Sequence, residues 1–213
     1  MTREQETSVT TTNGRTADHP VDLTFLKRWS PRAFDTAPIP DQELMTLFEA
    51  ARWAPSAYNS QPWRFLYAHR DTPGWSTFLG LLNPFNQLWV QHASVLVVVL
   101  SARRMIPPGK DAAIDSPSHS LDTGAAWGYL ALQAARMDIH AHAMVGFDFE
   151  AARRELGVPE DFAIECIIAI GRHGDPSSLP EPLRAREVPS PRRPIAELCA
   201  EGGFADLGPG ARI

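Results

Sequence analysis

The sequence has few of the residues on which several classes of protein depend. Two of its 213 residues are cysteine, Cys166 and Cys199, and they lack the spacing of a disulfide framework or zinc site. The longest apolar run, residues 93–100, is far shorter than the roughly 20 residues that span a bilayer. The net charge of -5 disfavours binding to nucleic-acid phosphates. These features predict a cytoplasmic protein that binds neither membranes nor nucleic acid.

Sequence signatures of several common sites are also missing. The chain has no GxGxxG after a strand, no GxxxxGK[ST] and no HExxH. His140 and His142 would face the same side of a strand, but they have no third metal ligand nearby in the sequence. His119, Ser120 and Asp122 look like a reordered Ser/His/Asp set, but a helix N-cap at Ser120 is the preferred interpretation. We therefore expect no metal site.

The order of periodic segments predicts the fold class. Residues 1–20 are rich in threonine, charge and turn formers and are predicted to be a disordered tail, whereas 21–213 are predicted to form a single domain. Helices are predicted over 41–54, 121–137 and 149–156, and strands over 63–68, 93–101, 140–145 and 162–170. This order predicts an α+β fold with helices flanking one central mixed β-sheet. Residues 103–120 are expected to be irregular, and they are long enough to form a lid.

The helix predicted over 121–137 is lined by small residues. Its sequence, LDTGAAWGYLALQAARM, lets another backbone approach closely. The partner of this helix is either another element of the same subunit or its own copy in a dimer.

Two short segments carry the functional chemistry that is present. "SPRAF" at 30–34 and "PSAYNSQPWRF" at 55–65 contain arginines, small hydroxyls and an asparagine, but no His, Asp or Glu. Arg28, Ser30 and Arg32 offer forked donors and a hydroxyl that match a phosphate, and Arg192 and Arg193 could close on the same anion. The second segment is either a turn bounded by prolines or a set of hydrogen-bond partners for a planar heterocycle. Together they indicate a nucleotide-like cofactor.

The order of the motifs resembles that of the nitroreductase family of FMN-dependent oxidoreductases. The strings "RWSPRAF", "ARWAPSAYNSQPWRF", "NQLWVQHASVLVVV", "MVGFD" and "PRRPIAEL" occur in the family's order between about residues 22 and 200. The resemblance implies a nitroreductase-like fold in an intertwined homodimer with FMN at the subunit interface. It also implies that NAD(P)H and an electron-poor acceptor react in turn by hydride transfer through flavin N5. Nitroaromatics, quinones and activated alkenes are the acceptors that the family suggests.

The resemblance also assigns the cofactor contacts, and it makes the flavin, not a side chain, the reacting group. It implies that Arg28, Ser30 and Arg32 hold the FMN phosphate, ribityl chain and pyrimidine edge, and that Arg192 completes the phosphate site. A charge at Arg32 would stabilise the reduced flavin anion. The remaining implied contacts are Pro55, Ser56, Ala57 and Asn59 on the other subunit's flavin, Gln61 in a supporting place, Asn86 on the pyrimidine end, and the backbone of Val145 and Gly146 near N5.

The sequence departs from the family pattern at two positions, and other functions stay open. Trp89 stands where some members have a lysine near the flavin, and Val145 stands where some have a glutamate. Trp89 lies either beside the flavin or in the core. The alternative functions are a specialised member that fragments flavin or removes halogen, and a flavin-binding protein without catalysis.

Overall fold

The computed structural model describes residues 13–210, which form two compact units. The terminal unit comprises residues 13–29 and 188–210, and the central unit comprises residues 30–187. Residues 1–12 of the predicted tail lie outside the described residues. The division into a tail over 1–20 and a single domain over 21–213 stays a prediction.

The central unit is built around a four-stranded sheet and carries a separate two-stranded ribbon. The strands are β1 (Trp63–His69), β2 (Val95–Ala102), β3 (Arg104–Met105), β4 (Ile114–Asp115), β5 (His140–Met144) and β6 (Phe162–Gly171). The large sheet has the order β1-β2-β6-β5, and its three pairings are all antiparallel. Strands β3 and β4 form the ribbon within residues 103–120, which were expected to be irregular.

Helices cover both faces of this sheet. The chain forms α1 (Leu23–Lys27), α2 (Asp41–Arg52), α3 (Trp75–Leu81), α4 (Pro84–Val90), α5 (His119–Arg136), α6 (Phe149–Glu155) and α7 (Glu181–Arg184). All but α1 belong to the central unit. Helix α2 follows the extended residue Pro40 and buries Leu44, Leu47 and Ala51, whose spacing places them on one helical face.

Strand β2 shows why its sequence is apolar without alternation. Val95, Val97 and Val99 belong to a core cluster with residues of α2 and α5, whereas Leu96, Val98 and Leu100 belong to a second cluster with residues of α3, α4 and α6. Both faces of the strand are therefore covered, and every position from 95 to 101 is buried.

The predicted fold class is confirmed. The structure is α+β, with helices flanking a central sheet, and the four predicted strands and three predicted helices are present within a few residues of their expected bounds. The sheet was expected to be mixed, whereas the pairings described are antiparallel. Burial on both faces makes a strand apolar whatever the direction of its neighbours, so the sequence pattern does not set strand direction.

The terminal unit is held by contacts between segments distant in sequence. Asp22 accepts a hydrogen bond from the backbone N–H of Thr24 at 2.8 Å and caps α1. Asp18 Oδ2 accepts one from the backbone N–H of Ile195, 2.8 Å away, at the start of a short 3₁₀ turn over Ile195–Glu197. The N-terminal and C-terminal segments thus pack as one unit.

Candidate functional site

The backbone around Arg32 is fixed by two side chains of the central unit, one buried and one half-buried. The carboxylate of Glu187 accepts hydrogen bonds from the backbone N–H of Arg32, at 2.7 and 3.0 Å, and from that of Ala33 at 2.7 Å. The Glu187 side chain is 1% exposed. His142 Nδ1 donates to the carbonyl of Pro31 at 2.8 Å. Three consecutive residues of the "SPRAF" segment, Pro31, Arg32 and Ala33, are therefore held by hydrogen bonds to their backbone groups.

The guanidinium of Arg32 lies next to an aromatic side chain. Its central carbon is 5.9 Å from the centroid of the Trp89 ring, within the range of a cation–π contact. Burial lowers the pKa of Arg32 from its ordinary value, Arg186 lowers it further, and Glu187 raises it. Trp89 is 1% exposed and packs against His142, with ring centroids 4.7 Å apart. Trp89 is thus a core residue, and one that touches Arg32.

Asn86 and Gly146 are 60 residues apart in the sequence and meet in the structure. Asn86 Nδ2 donates to the carbonyl of Gly146 at 3.0 Å, and the backbone N–H of Asn83 donates to the same carbonyl at 3.0 Å. A Cβ on Gly146 would lie 2.5 Å from Asn83 Nδ2 and 2.6 Å from Asn86 Nδ2, so a larger residue there would displace these two amide groups. The neighbouring residue Val145 is 68% exposed. The structure thus brings together the residues that were predicted for the pyrimidine end and for N5.

The loop after α2 has an unusual backbone. Tyr58, Asn59 and Gln61 have φ values of 52, 54 and 47°, in the left-handed region that residues other than glycine rarely adopt. Ser56 Oγ accepts a hydrogen bond from the backbone N–H of Gln61 at 3.0 Å, and Gln61 Nε2 donates to the Asn59 carbonyl at 3.2 Å. Such strain persists where surrounding contacts hold the backbone, as they often do at ligand sites.

A buried aspartate ties this loop to the start of α5. Asp122 Oδ2 accepts hydrogen bonds from the backbone N–H of Ala57 at 3.1 Å and from Ser118 Oγ at 2.9 Å. Asp122 is 7% exposed. The loop that was predicted to contact the flavin is therefore anchored to a helix, while Pro55 and Asn59 are exposed.

Three arginines of the terminal unit lie close enough to repel one another. Burial lowers the pKa of Arg28, and Arg192 lowers it further. Burial also lowers the pKa of Arg15, followed by the effects of Arg192 and Arg28. Mutual repulsion of this kind is relieved when an anion binds between the charges. The two predicted phosphate arginines are thus near each other, together with a third that was not predicted.

Three residues of these networks were missed in the sequence. Arg15 lies within the predicted tail, Glu187 lies in a proline-rich segment, and Asp122 was interpreted as a residue of a helical first turn. No local pattern distinguishes them from surface charges. Burial of a carboxylate against backbone N–H groups is a property of the folded chain, and it is what marks Glu187 and Asp122 here.

The described residues lack two other kinds of feature, a metal-binding cluster and a membrane-spanning helix. No group of three or more His, Cys, Asp or Glu side chains within residues 13–210 could hold a metal ion. In the same part of the chain, no helix has the length and apolar character needed to cross a membrane. The cytoplasmic location stays a prediction.

Comparison with known proteins identifies the family. The model of the nitroreductase family matches residues 26–74 and 75–172, and the chain belongs to this family. The resemblance noted in the sequence is thereby confirmed.

Individual relatives agree with this membership. An NADH dehydrogenase of Thermus thermophilus is 32% identical over an alignment of 174 residues, and the match covers 68% of this chain and 83% of that protein. A crystal structure of an oxidoreductase containing FMN is 46% identical, with a TM-score of 0.88, and the match covers 92% of this chain and 98% of the other. A protein from Desulfovibrio desulfuricans in complex with FMN is 25% identical, with a TM-score of 0.67 over 88% of this chain and 99% of its own.

Proposed function

We propose that this protein is an FMN-dependent oxidoreductase that uses NAD(P)H to reduce electron-poor acceptors such as nitroaromatics, quinones or activated alkenes. The observation that carries the proposal is the cluster of Arg28 and Arg192 in a chain of the nitroreductase family. Two clustered guanidiniums match the charge of a phosphate monoester. The names of two similar structures, each of a protein with FMN, support the choice of cofactor.

We assign donors of the chain to the parts of FMN by their chemistry. We assign Arg28 and Arg192 to the phosphate and Ser30 to the ribityl chain. We assign Arg32 and Asn86 to the pyrimidine edge, because each offers a polar group beside the core. FMN, when bound, would supply hydride transfer through N5, first from NAD(P)H and then to the acceptor in a ping-pong cycle.

Each residue then has a defined task. Arg32 keeps its positive charge at neutral pH, because a guanidinium stays protonated in proteins. A fixed cation beside the pyrimidine edge favours an anionic ring. Asn86 Nδ2 donates a hydrogen bond to the Gly146 carbonyl, which fixes the orientation of the side-chain amide. The amide oxygen of Asn86 would then accept a hydrogen bond from the flavin ring. Backbone groups of Val145 and Gly146 would contact flavin N5.

Anaerobic mixing of the flavin-loaded protein with NADH or NADPH tests the function. At least one nucleotide is expected to bleach the oxidised flavin band, and an added quinone should then sustain nucleotide consumption. Failure of both nucleotides to bleach the band would contradict the reductase function and would favour a flavin-binding protein without catalysis. Destruction of the flavin during turnover would indicate a flavin-fragmenting enzyme instead.

We also propose that the protein is a homodimer in which Pro55, Ser56, Ala57, Asn59 and Gln61 serve the flavin of the other subunit. Large apolar side chains near this loop and on α5 are open to solvent in one subunit: Tyr58 is 66% exposed, Leu121 77% and Tyr129 43%. Exposed apolar surface of this kind is typical of an interface.

Light scattering after gel filtration tests the dimer. The expected mass is twice the 23.5 kDa of one chain. A flavin-loaded protein with the mass of one chain would contradict the assignment of the loop to a neighbouring flavin, although it would leave the assignments of Arg28 and Arg192 standing.

A further inference from the structure

Something must hold Arg28 and Arg192 together against their repulsion. The two residues belong to different segments of the terminal unit: in the sequence, Arg28 precedes the central unit and Arg192 follows it. Like charges that approach each other destabilise the arrangement unless other contacts compensate. Hydrogen bonds between the two segments can provide that compensation.

Arg15 makes the contacts that join the two segments. Its Nη1 donates to the carbonyls of Leu26 and Arg28, at 3.0 and 2.6 Å, and its Nε donates to the carbonyl of Ser190 at 3.0 Å. The Ser190 carbonyl also accepts a hydrogen bond from Arg192 Nη1 at 3.2 Å. One planar guanidinium therefore bonds the backbone of Arg28 itself and the backbone two residues before Arg192.

The chemistry of this bridge requires arginine. Its donors lie in one rigid plane and can reach carbonyls on two segments at once, whereas a lysine offers a single nitrogen on a flexible stem. A neighbouring contact acts in the same direction, since Asn13 Nδ2 donates to the Leu26 carbonyl at 2.8 Å. Arg15 also adds a third positive charge to the cluster.

We infer that Arg15 is a positioning residue that holds Arg28 and Arg192 in place for the phosphate of FMN. The inference rests on the proposed function, and specifically on the assignment of Arg28 and Arg192 to the phosphate. It gives a role in cofactor binding to a residue of the N-terminal segment that was predicted to be a disordered tail.

Comparison of FMN with riboflavin isolates this role, because riboflavin has the same ring and ribityl chain but no phosphate. The apo forms of the wild type, Arg15→Ala and Arg15→Lys are titrated with each ligand, and binding is followed by quenching of flavin fluorescence. Arg15→Ala is expected to weaken FMN binding about 10- to 100-fold, because a displaced Arg28 or Arg192 would lose a hydrogen bond to the charged phosphate. Its affinity for riboflavin should stay within about twofold of wild type. Arg15→Lys should resemble Arg15→Ala, since it keeps the charge but loses the fork.

A matched control is Arg153→Ala in the central unit. Arg153 likewise bonds three carbonyls, those of Val158, Pro159 and Phe162, at 3.1, 2.7 and 3.0 Å, in a segment without predicted cofactor residues. This variant should bind FMN as the wild type does.

Other outcomes separate the inference from the proposed function. Wild-type affinity for FMN in Arg15→Ala, or equal losses for FMN and riboflavin, would overturn the positioning role. Wild-type affinity in Arg15→Lys would also overturn it, because charge alone would then suffice. A wild-type protein that binds neither flavin would overturn the proposed function itself.

Discussion

Replacement of both Arg28 and Arg192 by alanine is expected to give a colourless protein that purifies without FMN. Each guanidinium removed takes away a hydrogen bond to a charged group, worth roughly 1.5–3 kcal/mol. The pair together should weaken FMN binding by about 3–6 kcal/mol, or roughly 10²- to 10⁴-fold. The measurements are the ratio of flavin to protein after gel filtration and the dissociation constant of the apo protein for FMN.

The control for this double variant removes the same charge elsewhere. Arg153 and Arg154 lie side by side in the last turn of α6, and their replacement by alanine changes the net charge equally. This control should retain its flavin. Full flavin occupancy in the Arg28→Ala and Arg192→Ala double variant would show that the phosphate binds elsewhere.

Glu187→Ala is expected to destabilise the protein more than any other single substitution discussed for the candidate site. The change leaves the backbone N–H groups of Arg32 and Ala33 without their carboxylate acceptor, in a place where Ala33 is fully buried. An unsatisfied buried donor costs about 1–3 kcal/mol, so the two should lower the free energy of unfolding by about 2–6 kcal/mol. Urea unfolding monitored by circular dichroism measures this value.

Two companion variants test the physical cause. Glu187→Gln keeps one acceptor oxygen and is expected to lose about half as much stability. Glu181→Ala changes an exposed glutamate in the first turn of α7 and should alter the free energy of unfolding by less than about 0.5 kcal/mol. Unchanged stability in Glu187→Ala would mean that water replaces the carboxylate, and that Glu187 does not fix the loop of Arg32.

Elements with a strong periodic pattern were predictable from the sequence. Helix α2 has proline before its start and apolar residues at helical spacing, and strand β2 is a continuous apolar run. Helices α3 and α4 were not predicted. Each has seven residues, or about two helical turns, so its apolar period gives little signal, although the equally short α6 was predicted.

The start of α5 shows how tertiary contacts override a local signal. Ser120 was expected to cap this helix, but the helix begins at His119, and Ser118 is its N-cap residue. Ser120 Oγ instead donates to Glu165 Oε1 at 2.7 Å, on strand β6. A serine near a helix start can bond either the helix backbone or a neighbouring strand, and its own sequence context does not choose between them.

The sequence by itself determined the fold class, the family and the chemistry that its motifs offer. Apolar periodicity records which faces are buried, and arginines, hydroxyls and amides keep their donor groups wherever they lie. The tertiary structure decided which groups meet. Glu187 bonds Arg32 across 155 residues, and Arg15 bonds Ser190 across 175. A local pattern shows what a side chain can bond, whereas its partner is set by how distant segments pack.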